Sequence, residues 1–288
     1  MLLEIAVGDS YGAGFEFAKP ERLAQIKNDL SIYYPHNLPG HLPPGSYTDD
    51  TQMTLAIVET LLMSRKHWNI EEIADKFVEV YKRDPRNGYS RGLQAILDKP
   101  EIKTGTDLRN TLIPVSDRCG AAMRSVPIGL IREIPELLRF CQTQASITHN
   151  TSAGIKSSQA VALAAHWYKY SPKGFASLEQ FIQVHTKDYE TPWCTWSKGR
   201  KVSTSAHEVV RAALFAVTTL TSQSEILRQC IDYTGDVDSI AAIAMGVSSL
   251  KSDAEKDLPV YLQLGLEDTT YGRSYLVELD KRLVSVNL

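Results

Sequence analysis

Two short acidic clusters lie far apart in the chain, and each has the residue types of a metal-ligand set. The first is Thr48-Asp49-Asp50. The second is Asp236-Val237-Asp238-Ser239, inside the run TGDVDSIAAIAMGV. Each opens a stretch with the periodicity of an amphipathic helix. Four carboxylates and two hydroxyls are all hard oxygen donors, which suit Mg²⁺ or Mn²⁺ far better than Zn²⁺. If the fold brings the two helix starts together, the chemistry on offer is that of a metal-dependent hydrolase. The competing explanation is local: Asp, Ser and Thr favour helix N-termini because they cap free N–H groups and meet the positive end of the helix dipole. One cap needs only one acceptor, however. Asp49 and Asp50 are adjacent anions, and Asp236 and Asp238 form a DxD after Gly235. Crowded carboxylates call for a counter-charge, which a cation supplies. The second cluster is not an EF-hand loop, because it lacks the other ligand positions and the distant Glu.

Three further gatherings carry weaker signals. Gly8-Asp9-Ser10-Tyr11-Gly12-Ala13-Gly14-Phe15-Glu16 holds three glycines without the GxGxxG spacing and without a preceding strand, so a dinucleotide fold is unsupported. It reads either as a closely packed helix with an acidic turn, or as a loop that lets Glu16 face a ligand or a metal-bound water. Ser116 to Arg124 (SDRCGAAMR) starts another helix, whose N–H groups could cradle a phosphate or could be an ordinary helix start. Thr148-His149-Asn150 places a lone histidine before a helix, a position that is structural as readily as it is functional.

The elements that must position these residues are helical. In 51–64, Met53, Ala56, Ile57, Thr60 and Leu61 make one face, and the same pattern recurs in 206–220 and 239–251. The segment 152–170 is rich in small residues, which suits a buried helix approaching its neighbours closely. Further helices are expected over 70–83, 89–98, 120–138, 176–187 and 223–232. Alternating strand patterns are scarce, so the expectation is an all-α fold, a helical bundle. Irregular segments are expected at 31–47, 99–119 and 188–204. No repeat, linker or lapse in the helical pattern marks a boundary, so 1–288 reads as a single domain.

Bulk composition narrows the function classes. The chain has 288 residues, is 43% hydrophobic and 23% charged, and carries a net charge of −3, with Lys and Arg spread along it. That balance is globular and argues against duplex nucleic acid as a partner. No apolar run is long enough for a membrane span, and the N-terminus lacks the pattern of a secretory signal. Cys119, Cys141, Cys194 and Cys230 are scattered without a CxxC pair, which fits reduced cysteines and a cytoplasmic location rather than a disulfide framework or a zinc site.

Taken in order, GDSYGAGFE, YTDDTQM, CGAAMR, ITHN and GDVDS resemble the ADP-ribosylglycohydrolase family, of the type that reactivates dinitrogenase reductase. The match runs from residue 1 to about 250; any one motif is weak, but the ordered set is highly specific. The resemblance implies an all-α fold with a cleft for two divalent metal ions, Mg²⁺ or Mn²⁺. It implies that Thr48, Asp49, Asp50, Asp236, Asp238 and Ser239 are the metal ligands, with Ser239 standing where the family usually has Thr. Asp238 is the expected bridging ligand, and Glu16 the acidic residue near the reacting ribose. Gly120, Ala121 and Met123 match the segment that wraps the diphosphate, and His149 the histidine that faces the ADP-ribose. Asp117-Arg118-Cys119-Gly120 departs from the usual Gly-Asn-Gly before AAMR, and GVSSLKSDAEKDLP after Met245 departs from the usual Gly-rich ending. The implied activity is hydrolysis of an ADP-ribosyl bond, arginine-linked by preference, on a modified protein or a small ADP-ribosyl compound. Two alternatives stand beside it: a catalytically silent ADP-ribose-binding or structural relative, and a two-metal phosphoesterase.

Overall fold

The molecule is organised around two helices that bury almost every residue, Leu2–Ala13 and Val237–Ser249. Both are apolar or small around most of their circumference, as a central helix must be. They touch backbone to backbone because Gly8 and Gly12 carry no side chain. A Cβ at Gly8 would stand 2.5 Å from the Ala241 carbonyl oxygen, and one at Gly12 would stand 2.5 Å from the Asp238 Cα. This close approach brings the first motif alongside the second acidic cluster. The computed structural model describes residues 1–37, 42–197, 199–286 and 288. Leu38, Pro39, Gly40 and His41 of the expected irregular segment 31–47, Lys198 of 188–204, and Asn287 lie outside the described residues.

Most expected helices form close to their expected bounds: Asp49–Leu61, Ile70–Arg83, Arg91–Leu97, Ser152–Tyr170, Leu178–Thr186, Ala206–Thr219, Gln223–Asp232 and Val237–Ser249. Ile70–Arg83 shows why. Its apolar residues Ile73, Ala74, Phe77, Val78 and Tyr81 share one buried face, and the Asn69 side chain accepts the Glu72 N–H at its start. Helices Leu2–Ala13, Gly105–Thr111, Ile134–Ser146, Val260–Leu264 and Arg273–Ser285 complete the main set, and the described residues contain isolated β-bridges but no strand. Their buried apolar residues form one continuous cluster.

Two expectations need correction. The single helix expected over 120–138 is instead a short helix Gly120–Met123, a 3₁₀ turn Val126–Leu130 and the start of a longer helix Ile134–Ser146. Pro127 and Pro135 are the cause: each lacks an N–H and sits at the start of the element it belongs to. The segment 99–119 is not wholly irregular. It contains Gly105–Thr111, closed at its start by a capping box in which Thr104 accepts from the Asp107 N–H and Asp107 accepts from the Thr104 N–H.

Candidate active site

The start of helix Asp49–Leu61 is held by a residue from another helix. Asp9 is fully buried, and its carboxylate accepts from the Thr48 N–H, the Thr48 hydroxyl (2.7 Å), the Thr51 N–H (3.0 Å) and the Thr51 hydroxyl (2.6 Å). The capping work is therefore done across the helix interface. Neither Thr48 nor Asp236 makes a side-chain cap to its own helix, so local capping does not account for the acidic clusters. Asp49 and Asp50 are left to face elsewhere.

The second cluster is set by a strained turn. Gly235 has φ +97°, and a Cβ there would lie 1.8 Å from the Val202 carbonyl oxygen, so only glycine fits. The Val202 N–H donates to the Thr234 carbonyl at 3.1 Å, and the Asp236 N–H returns to the Val202 carbonyl at 3.3 Å. The Phe17 N–H donates to the Gly235 carbonyl at 2.8 Å, which ties the loop carrying Glu16 to the same turn. On the other side, Gly88 (φ +119°) presses the 86–90 loop onto the first cluster; a Cβ there would meet Asp49 Oδ1 at 2.3 Å.

These constraints bring Glu16, Asp49, Asp50, Asp236, Asp238 and Ser239 to the wall of one cleft of about 740 Å³. Donor oxygens of Glu16, Asp236 and Asp238 lie within 4.8 Å of one another, a spacing that can hold a metal ion. Asp50 Oδ1 and Asp238 Oδ1 are buried with no hydrogen-bond partner. Burial, then the neighbouring carboxylates Asp49, Asp9 and Asp236, push Asp50 well above the ordinary carboxyl range; burial, then Glu16, Asp50, Asp236 and Asp9, do the same to Asp238. Burial and Asp9 push Asp49 up to about 8. Glu16 is raised well above the ordinary carboxyl range by burial and then by Asp236 and Asp49. Crowded acids with unfilled acceptor atoms in a cleft have the donor chemistry of a hard-cation site. Thr48 lies just behind this wall with its hydroxyl turned to Asp9, and it does not line the cleft.

Another part of the lining carries a buried cation. Gly120, Met123, Arg124, Thr148 and His149 form it. Ala121 does not: it is buried behind the surface, and its carbonyl accepts from Ser125 Oγ (2.7 Å) and Gln144 Nε2 (3.0 Å). Arg124 is buried, with Nε on Gln144 Oε1 (2.5 Å), Nη2 on Thr148 Oγ1 (2.8 Å) and its guanidinium 4.5 Å from the centre of the Phe77 ring. Burial lowers it to about 9, still cationic at neutral pH. The Thr148 hydroxyl lies 2.6 Å from His149 Nδ1. That hydroxyl accepts from Arg124 and keeps a proton it can give to Nδ1, an arrangement compatible with a His149 proton on Nε2. Burial and then Arg124 lower His149 to about 3, so the ring is neutral. It packs against Gly120, where a Cβ would meet Cε1 at 2.7 Å.

Sequence reasoning missed the roles of Asp9, Arg124 and Gly88. A carboxylate inside the apolar run IAVGDSYGAG is the available signal for Asp9; Arg124 closes the run SDRCGAAMR without a role of its own there, and nothing local marks Gly88.

The sequence profile described as ADP-ribosylglycohydrolase matches residues 1–250. The chain belongs to the ADP-ribosylglycohydrolase family. An ADP-ribosylhydrolase ARH3 from Xenopus tropicalis is 26% identical over 281 residues, a match covering 77% of this chain and 77% of that protein. An uncharacterized protein from Archaeoglobus fulgidus is 26% identical over 306 residues, covering 100% of this chain and 95% of the other. A solved chain described as an ADP-ribosylglycohydrolase-related protein complex superposes with a TM-score of 0.70 at 21% identity, over 100% of this chain and 96% of that one, which supports the fold. No helix among the described residues is long and apolar enough to cross a membrane, and the four cysteines are free.

Proposed function

We propose that the cleft hydrolyses the glycosidic bond of an ADP-ribosyl group and releases ADP-ribose. The observation that carries this reading is the meeting of two distant acidic clusters, with Asp50 Oδ1 and Asp238 Oδ1 unpartnered, in a cleft of this family. The volume suits a nucleotide-sized ligand. An arginine-linked bond is the first substrate to try, on the strength of the sequence resemblance; the name of the ARH3 relatives leaves the linkage open.

Asp49, Asp50, Asp236, Asp238 and Ser239 would hold two divalent cations, Mg²⁺ or Mn²⁺, with Asp238 shared between them, while Thr48, its hydroxyl on Asp9, would position the Asp49–Asp50 start from behind. Such cations supply Lewis-acid polarisation and favour water ionisation. The remaining work falls to the chain. Cleavage at the anomeric carbon builds oxocarbenium character, so the ribose must be fixed while water approaches. Glu16, tethered through Phe17 to the Asp236 turn, sits where it can orient that water and take or return its proton. His149, a neutral ring in the lining, would donate to a phosphate or hydroxyl oxygen of the ADP-ribose in its Nε2-protonated form. Gly120, without a side chain, leaves room for the His149 ring against the backbone of the segment proposed to wrap the diphosphate.

The assay is incubation of the protein with Mg²⁺ or Mn²⁺ and, separately, ADP-ribosyl-arginine, ADP-ribosyl-serine and a generic phosphodiester. Free ADP-ribose from one of the first two is expected. Turnover of the phosphodiester alone would replace this reading with a phosphoesterase, and binding of ADP-ribose without turnover of any of them would replace it with a silent relative.

A further inference from the structure

One donor at the acidic centre is not oxygen. Cys119 lines the cleft, with Sγ 3.2 Å from Asp236 Oδ2 and 3.5 Å from Ser239 Oγ. Two donors that share a cation take similar separations. At a tetrahedral angle, a metal–sulfur bond of about 2.3 Å and a metal–oxygen bond of about 2.0–2.2 Å set the two ligand atoms about 3.5–3.7 Å apart, so the Ser239 contact fits as it stands and the Asp236 contact must open by a few tenths of an ångström. A thiol that merely donates to a carboxylate would give the 3.2 Å contact, so the surroundings must separate the two cases. They contain unfilled acceptors. Asp50 and Asp238 are each more than nine-tenths buried, line the same cleft and leave Oδ1 without a partner. The corner formed by Asp236, Ser239 and Cys119 thus has three donors in place and a carboxylate beside it with spare capacity. The other cysteines lie away from this wall; Cys141, for example, points its Sγ at the Ser158 carbonyl.

We propose that Cys119 Sγ is a ligand for a thiophilic divalent cation, Zn²⁺ by class, held at this corner with Asp236 and Ser239. This rests on the reading of the acidic clusters as a metal centre and adds selectivity to it. An all-oxygen site favours Mg²⁺ or Mn²⁺, whereas one sulfur donor raises affinity for Zn²⁺, Co²⁺ and Cd²⁺ and adds little for the harder ions. On coordination the S–H bond gives way to a sulfur–metal bond and the proton leaves to solvent. No electron is transferred. One corner of the centre then has oxygen donors alone and suits a hard ion, and the corner at Asp236 and Ser239 is tuned by sulfur.

The test uses reduced, chelator-treated protein of the full chain, unmodified and as Cys119→Ser and Cys141→Ser. Cd²⁺ is titrated with ultraviolet detection of thiolate-to-cadmium charge transfer, and Mn²⁺ by calorimetry. The band is expected in the unmodified protein and in Cys141→Ser and is expected to vanish in Cys119→Ser. Cd²⁺ affinity should fall there by at least the roughly tenfold that loss of even an outer partner of a metal site costs, with Mn²⁺ affinity nearly unchanged. If Mn²⁺ binds but the Cd²⁺ band is absent throughout, or persists in Cys119→Ser, the thiol is only a hydrogen-bond donor and the metal centre stands without it. If neither ion binds the unmodified protein, the metal-centre reading fails and this proposal falls with it. Should Cys119→Ser not fold, Co²⁺ added to the unmodified protein decides the matter: a sulfur-to-cobalt band supports the proposal and its absence overturns it.

Discussion

The two walls of the cleft bury polar groups in opposite ways. On one, Glu16, Asp49, Asp50, Asp236 and Asp238 are packed together with their pKa values raised and with two carboxylate oxygens unpartnered. On the other, Arg124 is just as deeply buried, yet it donates to Gln144 and Thr148 and stacks on Phe77. Gln144 in turn donates to the Ala121 carbonyl, Ser125 and Ser158. The cationic wall is complete as protein, and the acidic wall is complete only with something added. A buried unsatisfied polar group costs about 1–3 kcal/mol, more when charged. The difference therefore assigns the walls their tasks: the acidic one receives a cation and the chemistry, and the cationic one holds the His149 ring in place.

Substitutions can break this contrast. The largest effect is expected from Asp238→Asn, which keeps the shape but removes charge at the proposed shared ligand. Turnover should fall on the order of a thousandfold, the several kcal/mol a metal supplies, while the melting temperature of the metal-free protein rises because like-charge repulsion is relieved. Steady-state kinetics and calorimetric scans check both. Glu16→Gln should come next, with the cleavage rate down about a hundredfold or more and ADP-ribose affinity held within roughly tenfold, about 1.4 kcal/mol. A normal rate in this variant would remove Glu16 from the proton path. His149→Ala is the mildest of the three. It should weaken ADP-ribose binding by about tenfold, the worth of one hydrogen bond to a charged group, and leave Mn²⁺ affinity unchanged in calorimetric titration. Loss of metal with ADP-ribose affinity retained would show that the walls do not divide the work in this way.

How much of this was legible in the chain depended on whether the cause was local. Residue type alone marked Asp49, Asp50, Asp236 and Asp238, because carboxylates in excess of what a cap can use are visible in any register. Asp9 was not legible in its role, because its partners Thr48 and Thr51 arrive from another helix. The same holds for Arg124, whose partners Gln144 and Thr148 lie on and just beyond the following helix. Small residues at Gly8 and Gly12 announced a close approach but not that Asp238 and Ala241 would be on the other side of it. The break in 120–138 has a local cause, since Pro127 and Pro135 each end a helix pattern by the geometry of the ring. The capping box Thr104–Asp107 is likewise a local signal, lying within 99–119.

The central claim is that the acidic wall is strained until a cation fills it, and a thermal melt as a function of pH tests it most directly. Asp49 has its folded pKa raised from 3.8 to about 8, so between those values the folded protein binds more protons than the unfolded chain, and stability falls as pH rises through that window. His149, lowered from 6.5 to about 3, acts in the opposite sense only below its unfolded value, where stability falls as pH drops. Between about pH 6.5 and 8 the acidic wall therefore acts without opposition from His149. In metal-free protein the melting temperature should drop steadily across that interval, and saturating Mn²⁺ should raise it most at the upper end. A melting temperature that is flat with pH and indifferent to Mn²⁺ would contradict the account.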